Sequence, residues 1–352
     1  MTPFADIIGH AAVLELLSAE LTTPAQAYLF VGPANVGKAT VARRFAAALI
    51  CDGDARCFRR AVAGTHPDVA LIEPEGRTAI TVDQARAVVT AATRSPLEAA
   101  RRVFLFEEAG MLNDEAANAL LKTLEEPTPK TSFVLVAESV DELPETVASR
   151  CRTIVFGRVD EAALAAGLER LGAASAQRAG EVAVISGGRP GLALSLATRP
   201  EAASFRQFWL SVPLRLPEHP GGAFRLADEA EASLEPVLAA LGERQEAERE
   251  LAGDGGGRIL KDRQVRELKR VTDAMHVAGL EILAGFYRDA AVAQHGVPAR
   301  NRDIPVAALT RLAPVRAVAN ADRVLATITA LEANQRPRLA LANLFSDLAT
   351  DG

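Results

Sequence analysis

Nine residues, Gly32-Pro33-Ala34-Asn35-Val36-Gly37-Lys38-Ala39-Thr40, constrain this chain more than any other stretch. They follow a short apolar run, Ala27 to Val31, and lead into a helical pattern from Thr40 to Leu49. G-x-x-x-x-G-K between strand and helix is a phosphate-binding loop. Its glycines let backbone N–H groups face phosphate oxygens, and Lys38 brings positive charge to the β and γ phosphates. One ligand is missing. The motif places Ser or Thr directly after the lysine to hold Mg²⁺, and Ala39 stands there. Thr40 lies about 100° further round the helix and should not reach the same metal position. The loop is therefore read either as an ATP site or as backbone architecture retained without nucleotide.

The rest of the N-terminal part fits that loop. Apolar runs recur at Val69 to Ile72, Val103 to Phe106, Phe133 to Ala137 and Thr153 to Phe156, with helical stretches between most of them. Strands alternating with helices predict a parallel sheet. Runs apolar at every position, such as Phe133-Val134-Leu135-Val136, suit strands covered on both faces. This α/β domain is assigned to residues 1–157.

Beyond Phe156 the strand signal stops. Helical patterns around Ala162 to Leu171 and Gln177 to Ile185, the turn Gly187-Gly188-Arg189-Pro190-Gly191 and a short third helix predict a small helical domain, 158–200. Residues 201–352 read as all helical. Val265, Leu268, Val271, Met275, Ala278, Ile282 and Phe286 form one apolar stripe, and Val318, Leu325, Ile328 and Leu331 another. Leu341, Leu344, Phe345 and Leu348 form a last one, after a first-turn proline at Pro337. Gly253-Asp254-Gly255-Gly256-Gly257 reads as a flexible connection.

Composition excludes several classes. Thirty-nine Lys and Arg against 45 Asp and Glu give a net charge of −6, so no strong non-specific grip on nucleic acid is expected. Aromatic residues are only 5%, too few for broad base-stacking platforms. Three cysteines, Cys51, Cys57 and Cys151, are too few for a disulfide scaffold and agree with a reducing compartment. No apolar run approaches the roughly 18 residues of a membrane span, and residues 1–9 lack a leader pattern. A soluble cytoplasmic protein is expected.

Glu107-Glu108 follows the apolar run that ends at Phe106. In phosphate-loop NTPases this place holds Asp for Mg²⁺, then often Glu to activate water. Glu107 is one methylene longer than that aspartate, and Glu108 stands where the base would be. With Ala39, two metal-holding places depart from the pattern, and weak or absent hydrolysis is expected. Asn113 is placed to cap a helix from Asp114 to Glu126.

Leu120-Leu121-Lys122-Thr123-Leu124-Glu125-Glu126-Pro127, after a phosphate loop and an acidic box, resembles bacterial DNA polymerase III clamp-loader subunits of the AAA+ class. So do Ser149-Arg150-Cys151 with Pro144 upstream, His66-Pro67-Asp68, and the box Ile7-Ile8-Gly9-His10. The resemblance implies a three-part layout: a P-loop AAA+ domain, a helical lid (158–200) and a helical collar that oligomerises (201–352). It implies that Ile7, Ile8 and Gly9 line an adenine pocket in members that bind ATP. It also implies that Arg150 reaches into a neighbouring subunit's ATP site, where an always-charged guanidinium steadies a transferring phosphoryl group. A local ion pair with Glu145 is the alternative. Ser139 matches a polar sensor place, or else caps a turn.

Within that family the chain resembles the delta prime subunits. It lacks the intact G-K-T and Asp-Glu boxes of the gamma and tau motors, and Asn334-Gln335-Arg336-Pro337-Arg338-Leu339-Ala340-Leu341 looks like the delta prime C-terminal segment. Gly191 falls where motors carry a sensor arginine; Arg189 is two residues early. Only Cys51 and Cys57 remain of a four-cysteine zinc module, so no zinc is expected, and His66 is read as a turn or capping residue. The implied partners are gamma or tau, delta, the sliding clamp, and primer–template DNA through the assembled complex. The implied role is a non-hydrolysing assembly subunit, near the nucleoid through the replisome. ATP with Mg²⁺ is expected to bind weakly if at all. The alternative is an ATP-hydrolysing motor.

Overall fold

A computed structural model describes residues 2–74, 79–126, 128–197, 201–252, 257–297, 299, 301 and 304–350. Pro127 and Gly253 to Gly256 of the sequence reading lie outside the described residues. The chain forms two compact units: 1–167 with 188–191 and 258–263, and 168–187 with 192–257 and 264–352.

In chain order the first unit holds α1 (Ala11–Glu20), β1 (Ala27–Val31), α2 (Lys38–Cys51), α3 (Ala55–Val62), β2 (Val69–Ile72), α4 (Val82–Ala92), β3 (Arg102–Phe106), α5 (Asp114–Glu125), β4 (Thr131–Val136), α6 (Glu145–Ala148), β5 (Arg152–Val155) and the start of α7 (Glu161–Arg170). The five strands form one parallel sheet in the order β2-β3-β4-β1-β5. Leu29 stands beside Leu135 of β4 and Thr153 of β5. Phe104 is opposite Phe133, and the two rings stack with centroids 5.4 Å apart.

The unbroken apolar runs follow from two cores, one on each face. Tyr28, Phe30, Val103, Leu105, Val134 and Ile154 pack with Leu17, Val41, Phe45 and Phe58 from α1, α2 and α3. Their neighbours Leu29, Val31, Phe104, Phe106, Phe133 and Leu135 pack with Val88, Leu120 and Leu124 from α4 and α5. Each large side chain so buried contributes about 1.5–3 kcal/mol. Strand ends differ from the periodicity by a residue or two. The helix after the phosphate loop starts at Lys38, because Gly37 in a left-handed conformation (φ 102°) caps it there. Asn113 accepts the Ala116 N–H at 2.8 Å and caps α5.

One departure concerns the cysteines. Cys51 and Cys57, counted above among too few cysteines for a disulfide scaffold and as agreeing with a reducing compartment, are joined by a disulfide with Cα atoms 5.5 Å apart. Asp52 and Gly53, both with positive φ, reverse the chain after α2 and return Cys57 on α3 to the end of α2.

The second unit contains α8 (Ala176–Ile185), α9 (Pro190–Ala197) from Leu192 onward, α10 (Glu201–Ser211), α11 (Pro220–Ala232), α12 (Glu235–Ala252), α13 (Gly257–Ala293) from Gln264 onward, α14 (Val306–Leu309), α15 (Pro314–Glu332) and α16 (Pro337–Thr350). Leu341, Leu344, Phe345 and Leu348 of α16 are buried, as their spacing predicts. Trp209 is fully buried beside Phe205, Phe208 and Phe345.

Two expected stripes turn out differently. On α13, Met275, Ala278, Ile282 and Phe286 are buried, but Val265 and Leu268 are exposed. The helix instead buries Gln264, whose amide donates to Gln245 O at 2.8 Å while the Gln245 amide returns a bond of 3.1 Å. On α15 the inward face is Ala317, Asn320 and Val324, and Val318 and Leu325 of the expected stripe face solvent together with Val315.

Candidate functional site

The phosphate loop runs from β1 into α2. Gly32 has φ 145°, and a Cβ there would lie 2.1 Å from the Phe156 carbonyl oxygen, so only glycine fits beside β5. Asn35 and Gly37 also take positive φ, 62° and 102°. The first N–H groups of α2 have no carbonyl one turn earlier in the helix to bond. Lys38 is buried, and its Nζ donates to the loop's own carbonyls, Gly32 O at 2.5 Å and Pro33 O at 2.7 Å. Ala39 supplies no hydroxyl, and Thr40 is exposed on the next position round the helix.

The acidic box carries an arrangement that the sequence reading missed. Arg43, five residues after Lys38 on α2, takes both oxygens of Glu107: Nη2 donates to Oε2 at 2.7 Å, and Nε donates to Oε1. Glu108 follows as the residue that precedes a short 3-10 turn, Ala109–Met111. Mg²⁺ therefore does not fit the donor set. One protein ligand, a hydroxyl, is absent at Ala39, and the other, the Glu107 carboxylate, already has its charge paired by a guanidinium that does not lose its proton.

The box before α1 is tightly packed. Ile8 is buried, and its Cγ2 lies 2.4 Å from where a Cβ on Gly167 would stand. Gly9 (φ 73°) meets Val159 in the same way, at 2.4 Å. Ile7 packs at the edge of the core that holds α2. The His10 ring hydrogen-bonds the Val36 carbonyl at 2.7 Å and lies edge-on to Phe156. The structure thus brings this box, the phosphate loop and the start of α7 together. Gly191 is near them too: a Cβ there would be 3.9 Å from Asn35 O.

Arg150 lies elsewhere, just after α6. Its Nη1 donates to Thr146 O at 2.6 Å and its Nη2 pairs with Glu125, at the end of α5, rather than with Glu145. Glu125 belongs to the L-L-K-T-L-E-E-P stretch, but nothing local in the sequence gave it this role. Cys151 packs against the core beside α5 and α6, and burial pushes its thiol up to about 12, so it is a packing residue. Ser139 accepts the Asp141 N–H at 3.2 Å and caps the turn after β4. His66 Nδ1 accepts the Asp68 N–H at 3.1 Å, a turn role.

The family model described as DNA polymerase III, delta subunit, matches residues 9–160. The delta' subunit of Pseudomonas aeruginosa is 40% identical over 136 residues, 36% of this chain and 42% of that protein. The delta' subunit of Bacillus subtilis is 35% identical over 153 residues, 41% and 46% of the two chains. A gamma subunit of Buchnera aphidicola is 35% identical over 158 residues, 42% and 43%. The matched part spans less than half the length of each of these relatives. The residues matched by the family model, 9–160, contain the phosphate loop, the acidic box, the L-L-K-T-L-E-E-P stretch and Ser149-Arg150-Cys151. Residues 9–160, which carry the phosphate loop on a parallel sheet, are thus similar to the delta', gamma and tau subunits of bacterial DNA polymerase III.

Proposed function

We propose that this chain is a non-hydrolysing assembly subunit of a clamp loader. It occupies one place in an open ring of related subunits and lends Arg150 to the ATP site of a neighbouring motor. The observation that carries this is Ala39: a folded phosphate loop is followed by a side chain that cannot hold the metal of hydrolysis. The assembled complex would open a sliding clamp and place it on primed DNA. Gamma or tau and delta would be the neighbours, in the cytoplasm beside the nucleoid. Residues 201–352 would form the collar, and the exposed apolar residues of α15 support a partner there. Among the described residues no helix is long and apolar enough to cross a membrane.

The competing reading, a hydrolysing motor, draws on the similarity to a gamma subunit. ATPase assays on the purified chain separate the two. The expected turnover is at background, with no change on Lys38→Ala. Turnover of about one per second, lost with Lys38→Ala, would establish the motor reading; removing one electrostatic donor to a transition state costs about 3–4 kcal/mol, and this site lacks several.

A further inference from the structure

The two departures at the metal position are coupled. Ala39 removes a ligand from the divalent ion, and Arg43 brings a positive charge to the carboxylate that would have held it. Glu107 is enclosed, with 13% of its side chain exposed, and both of its oxygens are engaged by one planar fork. An ion such as Mg²⁺ needs a near-ideal octahedron with oxygens at about 2.0–2.1 Å. Approaching oxygens that already face guanidinium N–H groups would set a divalent cation against the guanidinium's own positive charge. Nor does Arg43 leave by losing its proton, since a guanidinium stays charged in proteins.

Charge bookkeeping supports a function for this pair beyond the loss of metal. An uncompensated carboxylate at the end of β3 would repel phosphates seated on the loop. Arg43 cancels that charge. The loop keeps an anion-accepting form: positive φ at Gly32, Asn35 and Gly37, the N-terminus of a fourteen-residue helix, and the enclosed ammonium of Lys38. That ammonium rests on two backbone carbonyls of its own loop, which an incoming phosphate would replace as its partners.

We propose that Arg43 stands in for the divalent cation at Glu107, so that the phosphate loop takes a nucleoside diphosphate or triphosphate without metal. This rests on the non-hydrolysing reading of the site but is tested by binding, so either can fail alone.

The test is titration of the full chain with a fluorescent ADP analogue, once in EDTA and once in excess Mg²⁺. Wild-type affinities are expected to agree within about twofold, and Lys38→Ala is expected to abolish binding. Arg43→Gln, checked for folding by thermal melting, is expected to lose about tenfold in EDTA and to recover with Mg²⁺, because the bared Glu107 then repels phosphate until a cation returns. Electron paramagnetic resonance of Mn²⁺ with ADP serves as a second readout on the wild type: no protein-bound Mn²⁺ is expected. Tenfold tighter wild-type binding with Mg²⁺ would overturn the proposal. So would no binding in EDTA at millimolar analogue, protein-bound Mn²⁺ in the wild type, or a folded Arg43→Gln that behaves as wild type in both media.

Discussion

Arg150 and Glu125 stand 25 residues apart in the chain and form an ion pair between the turn after α6 and the last residue of α5. The second anchor of the guanidinium is the Thr146 carbonyl. Both groups of the pair are partly exposed, with side-chain exposures of 33% and 46%. A pair in that setting is worth about 0–1 kcal/mol, so Glu125 orients Arg150 without binding it strongly. An arginine held in this way can be released to a phosphate on another subunit at little cost.

Arg150→Ala is accordingly expected to leave the chain folded and the complex assembled while lowering the ATPase rate per complex. A catalytic arginine finger is worth about 10³–10⁵ at its own site. The bulk loss should be smaller, since other sites would keep their own arginines. Arg150→Lys should rescue poorly because it lacks the planar fork. The deciding measurement is turnover per complex after gel filtration. An unchanged rate would leave Arg150 with its local pairing alone.

Asp68 is fully buried and accepts the N–H groups of Leu97 and Glu98 at 2.7 Å and of Ala99 at 2.9 Å, with Arg102 Nη2 at 3.4 Å. Burial pushes its carboxyl up, but these donors together outweigh burial and hold it below the ordinary aspartate range. A depressed folded pKa gives stability that is present above the unfolded value of about 3.9 and is lost as pH falls through the folded value. Urea unfolding should therefore show this contribution constant near neutrality and declining only in acid below about pH 4. Asp68→Ala should cost about 3–5 kcal/mol at pH 7, because it strands a buried guanidinium and three donors.

Gly279 on α13 abuts Trp209; a Cβ there would lie 2.1 Å from the indole Cε2. Gly279→Ala must displace a fully buried ring and should cost about 1–3 kcal/mol or more, despite alanine's better helix propensity. Trp209 is the single tryptophan, so its emission should shift to the red in the variant as unfolding begins at lower temperature. An unshifted melt would mean that the ring moves freely.

On α15, Val315 is 83% exposed, Val318 53% and Leu325 52%. If this face is covered in a complex, the double variant Val318→Asp, Leu325→Asp should prevent incorporation into the assembly. It should change the stability of the isolated chain by no more than about 0.5 kcal/mol, as surface changes do. Co-purification with tagged partner subunits measures the first effect and thermal melting the second. Normal incorporation would place the interface elsewhere.

Local pattern was enough for much of this protein. The phosphate loop announces itself because its geometry needs glycines at fixed offsets and a lysine at the helix start. The runs Ala27 to Val31 and Val103 to Phe106 announce a sheet covered on both faces because each position had to be apolar. Ala39 is a missing hydroxyl whatever the fold. Other features belong to long-range packing, which periodicity does not encode. The pairing of Arg43 with Glu107 bridges 64 residues, and that of Arg150 with Glu125 bridges 25. Strand order and helix placement decide both, since an ionised side chain takes whichever partner the fold presents. The stripe on α15 makes the same point in reverse. A run of apolar residues at helical spacing states that a face is to be covered, and only the tertiary structure shows that this chain leaves Val318 and Leu325 of that stripe at its surface.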